Sequence, residues 1–340
     1  MRNVSGIRGL GQGLLIFLLL TSPAFGAEKP VVIKMATLAP EGSSWVKAFN
    51  ALNAEVMKRS ENRVQFKIYP GGVLGDETDM LRKTKIGQIQ GAALSSAGLS
   101  SVFPEYDVLE VPFLFQKYEE VDFILNKMDG FFRKGLENSG YVMLGWSEGG
   151  FLYLMSTLPI SGVSDLKKGK VWILEDSNIA KAVFQEAGVK GIPLSVPDVL
   201  VGLQTGLVDV VYIPPSAAIS LQWFTKIKYI TDLPLLYLAG SIVIKNETFR
   251  EIPPSFQPVL VEIAQRHLAQ LKMVIRKENQ EALQVMAKQG IKILSPSREQ
   301  IEEFKRLSSR AMTHPGSQSF TKKTMEEVTS LLESYRKGSK

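Results

Sequence analysis

The sequence predicts a mixed α/β fold, and three features carry that reading. Short apolar or β-branched runs alternate with amphipathic helical stretches and turn residues along the whole length. Two segments, LRKTKIGQIQGAAL and LVGLQTGLVDVVYI, repeat one plan. Each runs from a leucine (Leu81, Leu200) through a helical turn to a glycine (Gly87, Gly206), then an apolar residue and a buried-type strand, so each half of the chain holds a helix-to-strand unit. The third feature is the stretch from Pro254 to Gln289, which has no breaker after Pro258. It predicts one helix of roughly 45 Å at about 1.5 Å per residue. At 340 residues the chain has room for two α/β lobes or one large domain with a substantial core.

Taken in order, VVIKMATL (residues 31–38) reads as the first strand. SSWVKAFNALNAEVMKRS follows as an amphipathic helix with Ser43 or Ser44 at its N-cap, where a hydroxyl takes up a free amide of the first turn. VQFKIYP is the next strand, closed by the turn in YPGGVLGD. YVMLGWS, FLYLMS, GKVWIL, VDVVYIP and AGSIVIK read as further strands. IAKAVFQEAG and PDVLVGLQTG read as helices that stop at Gly188 and Gly206, residues able to adopt the left-handed C-cap. The long helix sets Leu260, Ala264, His267, Leu271, Val274, Glu278 and Ala282 near one face, and it either bridges two lobes or pairs with a second copy. SREQIEEF opens a last helix with Ser297 and Gln300 as a capping box, and the tail YRKGSK reads as loose.

Residues 1–26 read as a cleavable secretory signal peptide: Arg2 and Arg8 precede the apolar run Leu14 to Leu20, and Ala24, Phe25 and Gly26 form a small-residue cleavage pattern. That run is far shorter than the roughly 20 residues that span a bilayer. The expected location is the periplasm. With no cysteine, the chain has no lipid anchor, disulfide, thiolate metal site or thiol nucleophile. Loss of Arg2 and Arg8 lowers the formal charge from +6 to +4, and the remaining Lys and Arg are scattered among Asp and Glu, which excludes nucleic acid as a partner. Only two histidines exist. His267 lies within the long helix and His314 precedes Pro315 in a polar loop, so neither belongs to a metal site or a triad. G-x-S-x-G and the phosphate-binding G-x-x-x-x-G-K-[ST] are both missing, and no acid pair stands out. An enzyme is not expected.

Several stretches together resemble the solute receptors of TRAP transporters, the DctP-type periplasmic binding proteins: IYPGGVLGDETDMLRKTKIGQIQGA, FPEYDVLEVPFLF, SDLKKGKVWIL, VPDVLVGLQTGLVDVV and NETFREIP, in that order. The resemblance spans about Val31 to Met312. It implies a type II-like, two-lobed periplasmic-binding-protein fold with hinge strands and a long helix spanning both lobes. The expected division is residues 28–149 plus 239–278 for lobe I and residues 150–238 plus 279–330 for lobe II. It further implies one ligand held in the cleft and delivered to a small and a large membrane subunit, with no cofactor.

Within that family an arginine follows the DLK motif and binds the ligand carboxylate through its rigid fork. Trp172 stands there in this chain, and Leu152 stands where a second arginine is usual. Tyr212 and Ile213 replace the family's Glu-Asn before Pro214, and Leu38 and Leu238 occupy positions where polar contacts are common. Ser95 and Val196 complete the set of expected ligand-binding residues. Glu175 reads first as part of the capping region EDSN and, more sharply, as a polar handle for a hydroxyl, amine or cation. A carboxylate sealed among these apolar side chains would lose its water without gaining a cation. The expectation is therefore a receptor of a variant type lacking the usual arginine, for a small, mainly apolar ligand: a fatty or aromatic acid or another hydrophobic metabolite. Some relatives of that type work with a periplasmic repeat protein, a further candidate partner. The alternatives are a conventional small carboxylate held by helix N-termini with Ser95, Ser96 or a displaced lysine, and a ligand-sensing periplasmic protein without transport.

Overall fold

The computed structural model describes residues 29–338 except Asp176 and Pro315, so the expected signal peptide and Asp176 of the capping region EDSN lie outside the described residues. The chain runs through β1 (Val31–Thr37), α1 (Ser44–Arg59), β2 (Val64–Tyr69), α2 (Glu77–Lys85), β3 (Gly91–Ser95) and the short α3 (Ser96–Ser100). A 3-10 turn at Pro104–Glu110 leads to α4 (Tyr118–Asn138) and β4 (Tyr141–Ser156). Next come α5 (Val163–Leu166), β5 (Trp172–Leu174), α6 (Asn178–Glu186), β6 (Ile192–Leu194), α7 (Val199–Thr205), β7 (Val210–Ile213), α8 (Pro215–Ser220) and β8 (Tyr229–Thr231). β9 (Leu236–Lys245) returns the chain to α9 (Asn246–Glu251), the long α10 (Gln257–Lys288), β10 (Lys292–Leu294), α11 (Arg298–Ala311) and α12 (Lys322–Gly338).

In the first lobe β2, β1 and β3 are parallel, β9 joins β3 antiparallel, and β4 pairs with β9. The far end of β4 leaves this sheet and pairs with β7 and β8 of the second lobe, where β10 adds to β8 and a bridge from Val171 to Val210 ties in the β5–β6 pair. YVMLGWS and FLYLMS are thus not two strands but one, 16 residues long. The SEGG segment between them stays paired with β9 through a bulge between Glu148 and Gly150, where Gly150 takes φ +100°, a conformation that costs other residues far more.

Helix α1 starts at Ser43, whose hydroxyl accepts from the Val46 amide at 3.4 Å, and it buries Val46, Phe49, Leu52 and Val56, the stripe its 3.6-residue period predicts. Ile33 and Met35 of β1 meet that stripe together with Leu260, Ile263 and Leu268 of α10 on one sheet face. The opposite face packs Tyr106, Leu109, Ile124 and Phe132. The second lobe has its own core around Met155, Val171, Val210 and Trp223, and Ala282 and Met286 near the end of α10 belong to it. The long helix therefore bridges the lobes. Its buried stripe runs through Ile263, Leu271, Ile275 and Asn279, while Val274, expected on that stripe, is 43 % exposed.

Gly87 and Gly206 both sit at positive φ, each four positions before the start of its strand, β3 or β7, so the repeated segments occupy matching corners of the two lobes. The Ser297–Gln300 capping box is present. Two expectations change at the C-terminus. Tyr335 to Gly338 continue α12, and α12 packs on α4: Val328 and Leu332 join the first-lobe core and Arg336 pairs with Glu120 at 2.8 Å, so residues 322–330, expected in lobe II, lie against lobe I. His267 and His314 meet Glu55 and Glu186 through Nε2 at 2.9 and 3.0 Å in partly exposed contacts.

Candidate functional site

A cavity of about 240 Å³ lies where the two lobes face each other, and all nine residues singled out in the sequence, Leu38, Ser95, Leu152, Trp172, Glu175, Val196, Tyr212, Ile213 and Leu238, line it. The first lobe contributes the carboxyl ends of β1 and β3 and the start of α2; the second contributes those of β5 and β7. Ligands of open α/β sheets sit outside such strand ends. The crossing strands β4 and β9 form the floor with Glu148, Gly149 and Leu238.

On the second-lobe wall Trp172 stacks on Tyr212 with ring centroids 5.0 Å apart and meets the edge of Trp223 at 5.4 Å. Its indole Nε1 donates to the Leu194 carbonyl at 2.9 Å. The side chain is fixed on several sides and only 4 % exposed, so it is part of the second-lobe core as well as cavity wall. Tyr212 accepts from the Leu174 amide at 3.1 Å, and burial holds its hydroxyl pKa above the ordinary value. Glu175 is exposed at the rim. The N-cap of α6 is Ser177, which accepts from the Ala180 amide at 3.1 Å.

The first-lobe wall holds two carboxyls that the sequence did not single out. Glu77, at the start of α2, accepts from the Ser95 amide at 2.6 Å and the Ser95 hydroxyl at 2.5 Å. A Cβ at Gly98 would lie 2.4 Å from Glu77 Oε2, so the carboxyl packs into space that only glycine leaves. Glu110 accepts from Ser96 Oγ at 2.6 Å and is 6 % exposed. Burial raises the pKa of both, Glu110 to about 8, with the neighbouring Asp107 and Glu77 adding to it. Ser95 and Ser96 thus already donate to the protein's own carboxyls.

Below the floor, Arg276 of α10 reaches Glu148 at 2.8 and 3.0 Å and Asp122 at 2.7 Å through two nitrogens, while its guanidinium lies 4.4 Å from the Tyr118 ring centre. Tyr237 donates to Glu148, whose side chain is buried. Burial alone would raise the pKa of Asp122, but hydrogen bonds from Arg276 and Lys272 hold it below the ordinary value. One turn on, Asn279 donates to the Gly149 carbonyl at 2.8 Å and accepts from the amide and hydroxyl of Ser216 at 2.9 and 2.8 Å. Trp45 of α1 donates to the Glu148 carbonyl at 3.0 Å. The crossing point is tied to both lobes and to α10. The sequence offered no signal for Arg276 or Asn279 beyond their place in a long helix.

Among the described residues no group of His, Cys, Asp and Glu is placed to hold a metal ion, and no helix is long and apolar enough to cross a membrane. Residues 35–315 match the model of the bacterial extracellular solute-binding proteins, family 7, known as DctP. The chain belongs to that family. A DctP chain is a substrate-binding receptor of TRAP transport systems and not an enzyme, and its homologues are periplasmic. This one is 25 % identical over 251 residues to the 2,3-diketo-L-gulonate-binding periplasmic protein YiaO of Escherichia coli K12, covering 73 % of this chain and 75 % of that one. Its fold matches the sugar acid binding protein DctPAm of Advenella mimigardefordensis in complex with galactonate, with a TM-score of 0.84, 22 % identity and coverage of 90 % and 99 %. It also matches a TRAP periplasmic solute-binding protein of Desulfovibrio salexigens with bound orotic acid, with a TM-score of 0.81, 18 % identity and coverage of 89 % and 98 %. Both are two-lobed, as this chain is.

Proposed function

We propose that this DctP chain is a periplasmic receptor of the variant type without the usual arginine, exported by its signal peptide, that captures a small, mainly apolar ligand between its lobes and delivers it to the small and large TRAP membrane subunits. One observation carries the proposal: Leu38, Leu152, Trp172, Tyr212, Ile213 and Leu238 share the cavity wall, and among the described residues no Lys, Arg or His lines that cavity. Apolar surface buried there stabilises a complex by roughly 25 cal/mol per Å². A carboxylate of the kind bound by the relatives would find no cation to replace its water. The reading of a conventional carboxylate held at the start of α3 loses its donors, because Ser95 and Ser96 serve Glu77 and Glu110.

Calorimetry on the mature protein with phenyl- and alkyl-bearing compounds against galactonate, orotate and succinate tests the proposal. Binding of the apolar set alone is the expected result. Tight binding of a small polar acid with the apolar set inert would overturn it. Native mass spectrometry of protein taken from its own host identifies what the cavity carries, and co-purification would reveal the membrane subunits and any repeat-protein partner.

A further inference from the structure

Among the described residues five acids, Asp76, Glu77, Glu110, Glu148 and Glu175, line the cavity alongside its aromatic wall, and no base does. Among the described residues only Glu148 of these five has an ion-pair partner, Arg276. Glu110 is more than nine-tenths buried in the wall. Around it stand Glu77 from α2, Asp107 from the 3-10 turn, Ser96 and Ala97 from the start of α3, and Tyr212 from β7 of the other lobe. Among the described residues that neighbourhood contains two further acids, one phenol and no cation.

Resting on the apolar reading above, we infer that the ligand's polar end is a cationic amine or quaternary ammonium, held by Glu110 on one lobe against the Trp172–Tyr212 stack on the other. A buried carboxyl without a counter-charge ionises only at a cost, and a cation entering the cavity supplies the charge this wall lacks. At short range in a poorly hydrated cleft that attraction far exceeds its value in water. Indole and phenol rings add the attraction of their negative faces for a cation. An anionic acid on the same hydrocarbon body would instead meet acids and, among the described residues, no base, so within the apolar class the amine is selected over the fatty or aromatic acid.

Three probes with one body and different heads test this on the mature protein: 3-phenylpropylammonium, 3-phenylpropanol and 3-phenylpropionate. Calorimetry at pH 8 should rank the ammonium roughly tenfold or more tighter than the alcohol, with the propionate weakest. Glu110→Gln should abolish the advantage of the ammonium over the alcohol. In the wild-type protein the ammonium affinity should rise with pH between 6 and 8, by up to about tenfold per unit as Glu110 gives up its proton, while the alcohol stays flat. Propionate binding as well as the ammonium would overturn the inference, as would an ammonium advantage that survives Glu110→Gln. If that variant does not fold, the wild-type ranking and its pH profile decide. If the alcohol binds and the head group makes no difference, this inference alone falls. If no aryl probe binds and galactonate does, the apolar reading falls with it.

Discussion

Arg276→Met removes the one cation that, among the described residues, meets the buried carboxyl of Glu148 while keeping most of the stem that packs beside Tyr118. The variant loses four charge-assisted hydrogen bonds, two to Glu148 and two to Asp122. Asp122 keeps Lys272 at 3.0 Å and is a third exposed, so little of the cost falls there. Glu148 keeps only the Tyr237 hydroxyl, and its side chain is 1 % exposed. Breaking a buried pair from one side costs about 3–5 kcal/mol, because the surviving charge stays desolvated. For a chain of this size that corresponds to a fall in melting temperature of roughly 5–15 °C. Differential scanning calorimetry measures it directly. Adding Glu148→Gln to Arg276→Met should recover part of the loss, since the stranded charge is then gone, and a double-mutant cycle isolates the coupling. A single variant that melts within about 2 °C of the wild type would refute the reasoning, because a desolvated unpaired carboxylate cannot be that cheap.

Asn279→Leu strips three hydrogen bonds from the crossing point and leaves the Gly149 carbonyl and the Ser216 amide without their partner; urea unfolding should show a loss of about 2–4 kcal/mol. Truncation after residue 321 removes Val328, Leu332 and Arg336, exposing apolar first-lobe surface and unpairing the buried Glu120; the shortened chain should melt at least several degrees lower and bind a hydrophobic dye. Glu110 titrates near pH 8 when folded against 4.5 as its ordinary value, so between those limits the folded chain keeps a proton that the unfolded chain has released. Its contribution to stability is therefore present below pH 4.5 and lost as pH rises towards 8, by at most about 1.4 kcal/mol per unit. Glu110→Gln should flatten that part of the stability profile, and identical slopes in both proteins would contradict it.

Local signals made much of the fold legible. Ser43, the Ser297–Gln300 box and Gly206 mark helix ends through chemistry that acts within a few residues, and each appears where its pattern places it. The single strand β4 was hidden because Ser147 to Gly150 reads as a break, whereas the partner strand β9 supplies pairing across the bulge. That information is tertiary. Leu38, Leu152, Trp172, Tyr212, Ile213 and Leu238 came from family resemblance, since nothing in the type of Leu152 or Ile213 separates a cleft wall from a core. Glu77 follows the N-cap Asp76, which accepts from the Asp79 amide at 2.8 Å, and so reads as an ordinary first-turn acid. Glu110 in PEYDVLEVP looks like any solvated glutamate. Only folding shows that β3, α3 and the 3-10 turn bring Ser96 and Asp107 around it, which turns a surface residue type into a buried group.

The floor of the cavity and the crossing point of the chain are the same residues, and this bears on how the lobes would move about the hinge strands that the family resemblance implies. Glu148 and Gly149 line the cavity, while Arg276 and Asn279 fasten them to the one helix that spans both cores. A ligand favours a closed form only by the contacts it makes there and not in the open form. Leu38, Ser95 and Glu110 lie on one wall and Trp172 and Tyr212 on the other, so a ligand that touches both walls gains surface burial only when they approach. Because Arg276 and Asn279 fasten the floor to α10, it should change least if the lobes approach. Specificity then resides in the walls and fixed geometry in the floor. Substitutions at Arg276 or Asn279 should accordingly alter stability and the balance between open and closed forms, while leaving the ranking of ligands by head group to Glu110.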